Sequence, residues 1–167
     1  IDSRMQRYAE EALNTHLKKN LQPAFRKHLR SLKNRPFSNE LSTEAVEGIM
    51  DQAIKQTERY RLAKLSGKSW DEIKQIFNHP VEMSVFSYKG DRDTIMSPLD
   101  SMKYYYSIFR SSFMSMEIKT GHVKAYVGGL DYTHFMYDMV KGGKRQVGST
   151  VKPFLYTLAM QNGMAPC

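Results

Sequence analysis

The chain has 167 residues, of which 41% are hydrophobic, 25% charged and 11% aromatic, a composition that excludes a disordered or fibrous protein. Its length suffices for one ordinary domain or for a small domain with a helical appendage, and no window approaches the run of about 20 apolar residues needed to span a membrane. The net charge of +8 and a pI near 9.5 are compatible with nucleic acid, an anionic membrane surface or an acidic polymer as neighbour, and do not choose among them.

The first eighty residues have helical periodicity. Ser3 and Gln6 form a capping-box signature ahead of Met5, Tyr8, Ala9, Ala12 and Leu13, which predicts a helix over 4–19. "LQPAFRKHLRSLK" places Leu21, Phe25, Leu29 and Leu32 on one face of a second helix and holds Pro23 in its first turn. A third is predicted over 43–64 behind Ser42, with Val46, Ile49, Met50, Ala53, Ile54, Thr57 and Tyr60 in register. A short fourth, capped by Ser69 with Glu72 closing the box, buries Trp70, Ile73, Ile76 and Phe77 before "NHP" ends it.

After Pro80 the pattern turns strand-like. "MSVFSYKGDRDTIMS" reads as a hairpin about a Gly and Asp turn, with Met83 and Val85 on one face. "SPLDSMKYYYSIFRSS" restarts a helix with Ser97 as cap, Pro98 at the first helical position and Asp100 in the first turn. "FMSMEIKTGHVKAYVGG" reads as a second hairpin, with Gly121 supplying the positive φ of the turn. A polar, aromatic and glycine-containing loop over 130–147 then delivers the chain to Ser149.

Ser149 precedes Lys152 by three residues. With 15 serines and 15 lysines, chance supplies roughly one S-x-x-K in a chain of this length, so the spacing alone carries nothing. Context raises it. Pro153 requires a helix to begin within about one turn before it, which puts Ser149 at the helix N-terminus, where free N–H groups and the positive dipole end lie. Val151, Phe154, Leu155 and Leu158 make that helix apolar and therefore an expected buried one. In one reading Ser149 is a nucleophile whose oxyanion is held by its own N–H, with Lys152 as base wherever burial or a second cation favours the neutral amine. In the other, Ser149 is an N-cap and Lys152 a solvated lysine.

"TGHVKAYVGGLDY" followed by "RQVGSTVKPFLYTLAM" resembles the N-terminal part of the transpeptidase domain of class A penicillin-binding proteins. The opening "IDSRMQRYAEEAL" is similar to the segment that begins this domain, and "MSPLDSMKYYYSIFRSSF" to the helix feeding its first core strand; together these cover about half the chain. The resemblance implies an α+β fold, with a helical linker or pedestal over 1–80 and the first part of a serine DD-transpeptidase (β-lactamase/transpeptidase-like) domain over 81–167. It implies that Ser149 attacks a D-Ala-D-Ala stem peptide to form an acyl-enzyme, that β-lactams acylate the same oxygen, and that Lys152 takes the serine proton. Gly148 fits as the small residue permitting close substrate approach, Pro153 and Phe154 as helix-start and packing residues. No cofactor and no nucleic acid is implied, and the site of work would be the extracytoplasmic face of the bacterial cytoplasmic membrane, with the anchor outside this chain.

The sequence departs from the family pattern after Lys152. The family's Ser-x-Asn and Lys-Thr/Ser-Gly motifs do not follow, and Lys119-Thr120-Gly121 stands before the serine in a hairpin turn, as a decoy. The reading is therefore of a truncated site with the nucleophile and without the rest, and an unpaired sheet edge and exposed apolar surface are expected, with dimerisation as one remedy. Between Ala12 and Asn39 there is no acid, while Lys18, Lys19, Arg26, Lys27, Arg30, Lys33 and Arg35 supply seven cations, suited either to a membrane surface, glycan or cell-wall protein partner or to plain solvation. The five histidines have no metal-ligand spacing, and a lone Cys167 forms no internal disulfide or cluster. Two rivals stand beside transpeptidation: a β-lactam-hydrolysing or β-lactam-sensing relative, and a noncatalytic basic interaction module.

Overall fold

The computed structural model describes residues 1–166; Cys167, and with it the expectation for its thiol, lies outside them. The fold is mixed α and β, as the periodicities imply. It opens on a helical rod: α1 (Ser3–His16) runs through a π-helical turn (Leu17–Leu21) directly into α2 (Gln22–Arg30). Two helices with a break between them are expected from the sequence, but the junction residues His16, Leu21 and Gln22 all keep right-handed helical angles. The wider turn leaves Leu17 and Gln22 buried.

The cap of α1 is Asp2 rather than Ser3. Its Oδ1 accepts from the N–H groups of Arg4 and Met5, at 2.9 and 3.2 Å. Gln6 is diverted from the expected capping box to the edge of β4 (Val123–Val127): its Nε2 donates to the Tyr126 carbonyl at 2.9 Å and its Oε1 accepts from the Tyr126 N–H at 2.7 Å. Gln22 makes a matching clamp, donating to the Ser107 carbonyl at 3.0 Å and accepting from the Phe109 N–H at 2.7 Å. A carboxamide pairs in this way because it carries a donor and an acceptor side by side. Two glutamines on one rod thus fasten it to two distant segments.

The expected helix over 43–64 is two: α3 (Thr43–Lys55) and α4 (Glu58–Leu65). Thr57, assigned from its spacing to a helix face, is instead the cap of α4. Its Oγ1 accepts from the Tyr60 N–H at 3.1 Å and donates to the Ile54 carbonyl at 2.7 Å, a local alternative to the helical ladder that hydroxyl side chains favour. The next start agrees with expectation: α5 (Trp70–Asn78) has a complete capping box, the Glu72 carboxylate accepting from the Ser69 N–H at 2.8 Å.

β1 (Val81–Val85) and β2 (Arg92–Met96) pair antiparallel, with Val81 opposite Met96 and Val85 opposite Arg92. The burial along β1 alternates and ends on buried Val85, as a half-covered strand requires. Ser97 caps α6 (Pro98–Tyr106), accepting from the Asp100 N–H at 3.0 Å, as the sequence signals. The main core is built from Ile54, Ala63, Ile73 and Phe77, and Leu99 and Met102 of α6 pack against it, so the helices before Pro80 and the helix after the first hairpin share one core. A second, aromatic cluster holds Phe86, Ile108 and Phe135, with Tyr104 and Tyr105 packed on it. The tyrosine run therefore fills interior space, Tyr106 alone of the three lying at the surface against Phe37.

β3 (Phe113–Met116) and β4 form the second antiparallel hairpin, its turn closed by Gly121 at φ +71°. This pair and the first hairpin are separate two-stranded sheets. β4 is covered on one side by α1.

Candidate active site

β4 leads through Gly128 and Gly129 into the loop that ends at Ser149. The first half of this loop is locked down. Phe135 inserts into the aromatic cluster, its ring 5.1 Å from that of Phe86. His134 bridges Asp91, 2.9 Å from its Nε2, and the Tyr105 hydroxyl, 3.2 Å from its Nδ1. Asp138 caps a single helical turn, α7 (Met139–Gly142), accepting from Val140 and Lys141 N–H groups at 2.9 and 3.1 Å. The other oxygen of Asp138 accepts a short hydrogen bond from the Tyr126 hydroxyl. That hydroxyl, then the Lys141 N–H, holds the Asp138 carboxyl below its usual range, and the carboxylate in turn raises the Tyr126 phenol. Gly128 makes room for this lock, since a Cβ there would meet Asp138 Oδ1 at 3.0 Å.

The second half of the loop is free of such anchors, and every residue from Lys141 to Leu158 is exposed. Gly148 turns the chain with φ +52°, and a Cβ at this position would meet nothing within 4 Å. The glycine is therefore required here by backbone angle rather than by crowding. Gly148–Val151 form a single 3-10 turn that continues into α8 (Lys152–Gln161), with Pro153 in the first turn of the α-helix as the sequence predicts. Ser149 and Lys152 thus lie three residues apart across a helix start, on one side of it.

Two expectations fail at this point. Ser149 is not a cap: no side chain caps either the 3-10 turn or α8, and the serine hydroxyl has no hydrogen-bond partner among the described residues. Nor is α8 buried. Phe154 is 77% exposed, Leu155 and Leu158 56% each, because α8 packs mainly against the turn before it and its apolar side is left largely uncovered. Lys152 is likewise exposed and makes no ion pair among the described residues. The structure brings Gly148, Ser149, Lys152, Pro153 and Phe154 together on one short turn, and it leaves that turn open to solvent. The Tyr126–Asp138–Gly128 lock that aims the loop has no signature in the sequence, since its partners are set by the return path of the chain.

The arrangement is that of an α+β protein whose helical body carries two small hairpins and presents a serine–lysine helix start at one end. Residues 32–109 match the family model described as "Penicillin-binding protein middle domain". The match takes in α3 to α6 with the first hairpin, including the stretch before Pro80 where no motif is recognisable. The chain is 37% identical over 84 residues to "Penicillin-binding protein 1A" of Neisseria flavescens, covering 48% of this chain and 9% of that protein. It is 44% identical over 54 residues to "Penicillin-binding protein 2D" of Bacillus subtilis, 32% of this chain and 8% of the relative. It is 43% identical over 54 residues to "Penicillin-binding protein 1A" of Escherichia coli, 32% and 6% respectively. No solved structure matches. These matches relate the chain to the penicillin-binding proteins, of whose length it spans less than a tenth. No helix among the described residues is long and apolar enough to cross a membrane.

Proposed function

We propose that the chain carries the nucleophile turn of a peptidoglycan DD-transpeptidase, with Ser149 as the acylated residue and Lys152 as its base. The observation that carries this reading is the Gly148–Phe154 turn itself: a serine with an unengaged hydroxyl one helical turn from a lysine, at the start of a helix led by Pro153, in a chain related to penicillin-binding proteins.

In the proposed step, the Ser149 oxygen attacks the carbonyl carbon of the penultimate D-Ala and its proton passes to the neutral Lys152 amine. The peptide C–N bond breaks, the terminal D-Ala leaves as the amine with that proton, and an ester to Ser149 remains. An amine of a neighbouring stem peptide then attacks the ester and releases the serine. The Ser149 N–H, which has no acceptor among the described residues, belongs to the positive end of the helix start and is one donor for the oxyanion. A β-lactam reacts at the same oxygen by ring opening, which expels nothing. The exposed apolar side of α8 and the solvated Lys152 fit a site that is completed by elements packed over this turn, which would dehydrate the lysine and favour its neutral form. Work at the outer face of the cytoplasmic membrane follows from the substrate.

Intact-mass measurement after incubation with benzylpenicillin tests the reading, on this chain and on one extended C-terminally through Ser-x-Asn and Lys-Thr/Ser-Gly motifs. The extended chain gains the mass of one whole β-lactam, and Ser149→Ala abolishes the gain. An extended chain that is folded and unlabelled, or one labelled equally in Ser149→Ala, refutes it. An adduct that clears with release of hydrolysed drug selects the β-lactam-hydrolysing alternative.

A further inference from the structure

Between the helical rod and the tip of the first hairpin lies a groove of about 440 Å³. Four cations line it: Lys18 from the π-helical turn and Arg26 from α2 on one wall, Lys89 from the hairpin turn and Arg92 from the first position of β2 on the other. None of its lining residues is acidic, and none of the four cations makes an ion pair among the described residues. Tyr88 and Tyr104 also line it. Their hydroxyls are already committed, Tyr88 donating to the Phe109 carbonyl at 2.5 Å and Tyr104 to the Phe86 carbonyl at 2.7 Å, so they contribute ring surface. The Arg92 guanidinium lies over the Tyr104 ring at 5.8 Å, which fixes its approach to the groove.

Like charges gathered on facing walls repel one another, so this arrangement is held by other contacts. The Gln22 clamp on Ser107 and Phe109 supplies one, anchoring the rod at the first residue of α2, directly after the turn that carries Lys18 and one helical turn before Arg26. A π-helical turn at a point where two lysines are presented is a departure from regular helix of the kind that re-aims side chains. The geometry points to a binding site for a phosphoryl group bearing two or more negative charges, a diphosphate or a phosphomonoester. A carboxylate is planar and singly charged and satisfies one wall. Phosphoryl oxygens point in several directions and carry more than one charge, and donors reaching in from both walls, two guanidinium and two ammonium groups, suit that chemistry. The groove shares no residue with the Gly148–Phe154 turn, so it stands independently of the acyl-serine reading.

Inorganic diphosphate is the probe, titrated by calorimetry into the 167-residue chain at low and at physiological ionic strength. Saturable one-to-one binding is expected, weakening with salt. Lys18→Ala/Arg26→Ala and Lys89→Ala/Arg92→Ala, which strip one wall each, are each expected to weaken it by about tenfold or more. Lys27→Ala/Arg30→Ala removes the same charge from the same helix outside the groove and is expected to change it by less than about threefold. Melting curves establish that the variants are folded, and two variants on opposite walls keep the test open should one unfold. Vesicles in which phosphatidic acid is the only anionic lipid separate the sources: binding competed by diphosphate assigns a lipid headgroup, and diphosphate binding without vesicle binding assigns a soluble ligand. Absence of saturable diphosphate binding, or equal weakening by the groove and control variants, overturns the proposal.

Discussion

Gln22→Ala isolates what a buried amide contributes to this fold. Gln22 is 2% exposed, and both its carboxamide hydrogen bonds end on backbone groups, the Ser107 carbonyl and the Phe109 N–H. Alanine leaves the two backbone partners without their hydrogen bonds at a site poorly accessible to water, at about 1–2 kcal/mol each. A total of roughly 2–4 kcal/mol is expected. For a chain of this length that corresponds to a fall in Tm of roughly 6–12 °C, read by far-UV circular dichroism. Gln6→Ala breaks the same two-bond pattern, on Tyr126, but at a half-buried site where water replaces the lost partners, so about 1 kcal/mol is expected. Gln22→Glu keeps the shape and sets a carboxylate against the Ser107 carbonyl; at neutral pH it is expected to be at least as damaging as alanine. Equal Tm shifts for Gln22→Ala and Gln6→Ala, or a Gln22→Glu protein that melts like the parent, would refute the reasoning that burial sets the cost.

Three further outcomes are expected. Thr57→Ala removes the cap of α4 and is expected to cost about 1 kcal/mol, measured as a shift of the urea midpoint at constant m; Thr57→Ser restores most of it. Asp138 has its carboxyl held below the ordinary value of 3.8, so its contribution to stability is fully present above that pH and is lost as pH falls through the lowered value; Asp138→Asn is expected to flatten this part of the Tm-against-pH profile. Gly148→Ala is expected to cost about 1 kcal/mol through backbone angle alone, since nothing crowds the site, and to slow benzylpenicillin acylation of the extended chain by shifting the Ser149 turn; acylation at the parent rate would show that the positive φ is dispensable there.

The starts of α5 and α6 and the turn at Gly121 were legible in the sequence because each is settled within four residues. Ser69 finds Glu72, Ser97 finds Asp100, and a glycine takes the positive φ of its own turn. Gln6 offered an equally good local signal, and it was misleading: the side chain that would close a capping box on Ser3 pairs instead with Tyr126, 120 positions away. Thr57 fitted a helix face by spacing, yet its hydroxyl satisfies two backbone groups better as a cap. Gln22 carried no signal at all, since a glutamine within a basic helix reads as solvated until Ser107 and Phe109 are brought against it.

The same division runs through the candidate site. The sequence by itself determined that a helix starts around Pro153 and that Ser149 and Lys152 lie within one turn of each other, because the fixed φ and missing N–H of a proline act on its immediate neighbours. Only the tertiary structure decided that Val151, Phe154, Leu155 and Leu158 face solvent, that the loop is aimed by Tyr126 and Asp138, and that Lys18, Arg26, Lys89 and Arg92 share one groove. Burial and charge convergence depend on which distant segments pack together, and an apolar stripe states only that a helix has a side to cover, not what covers it.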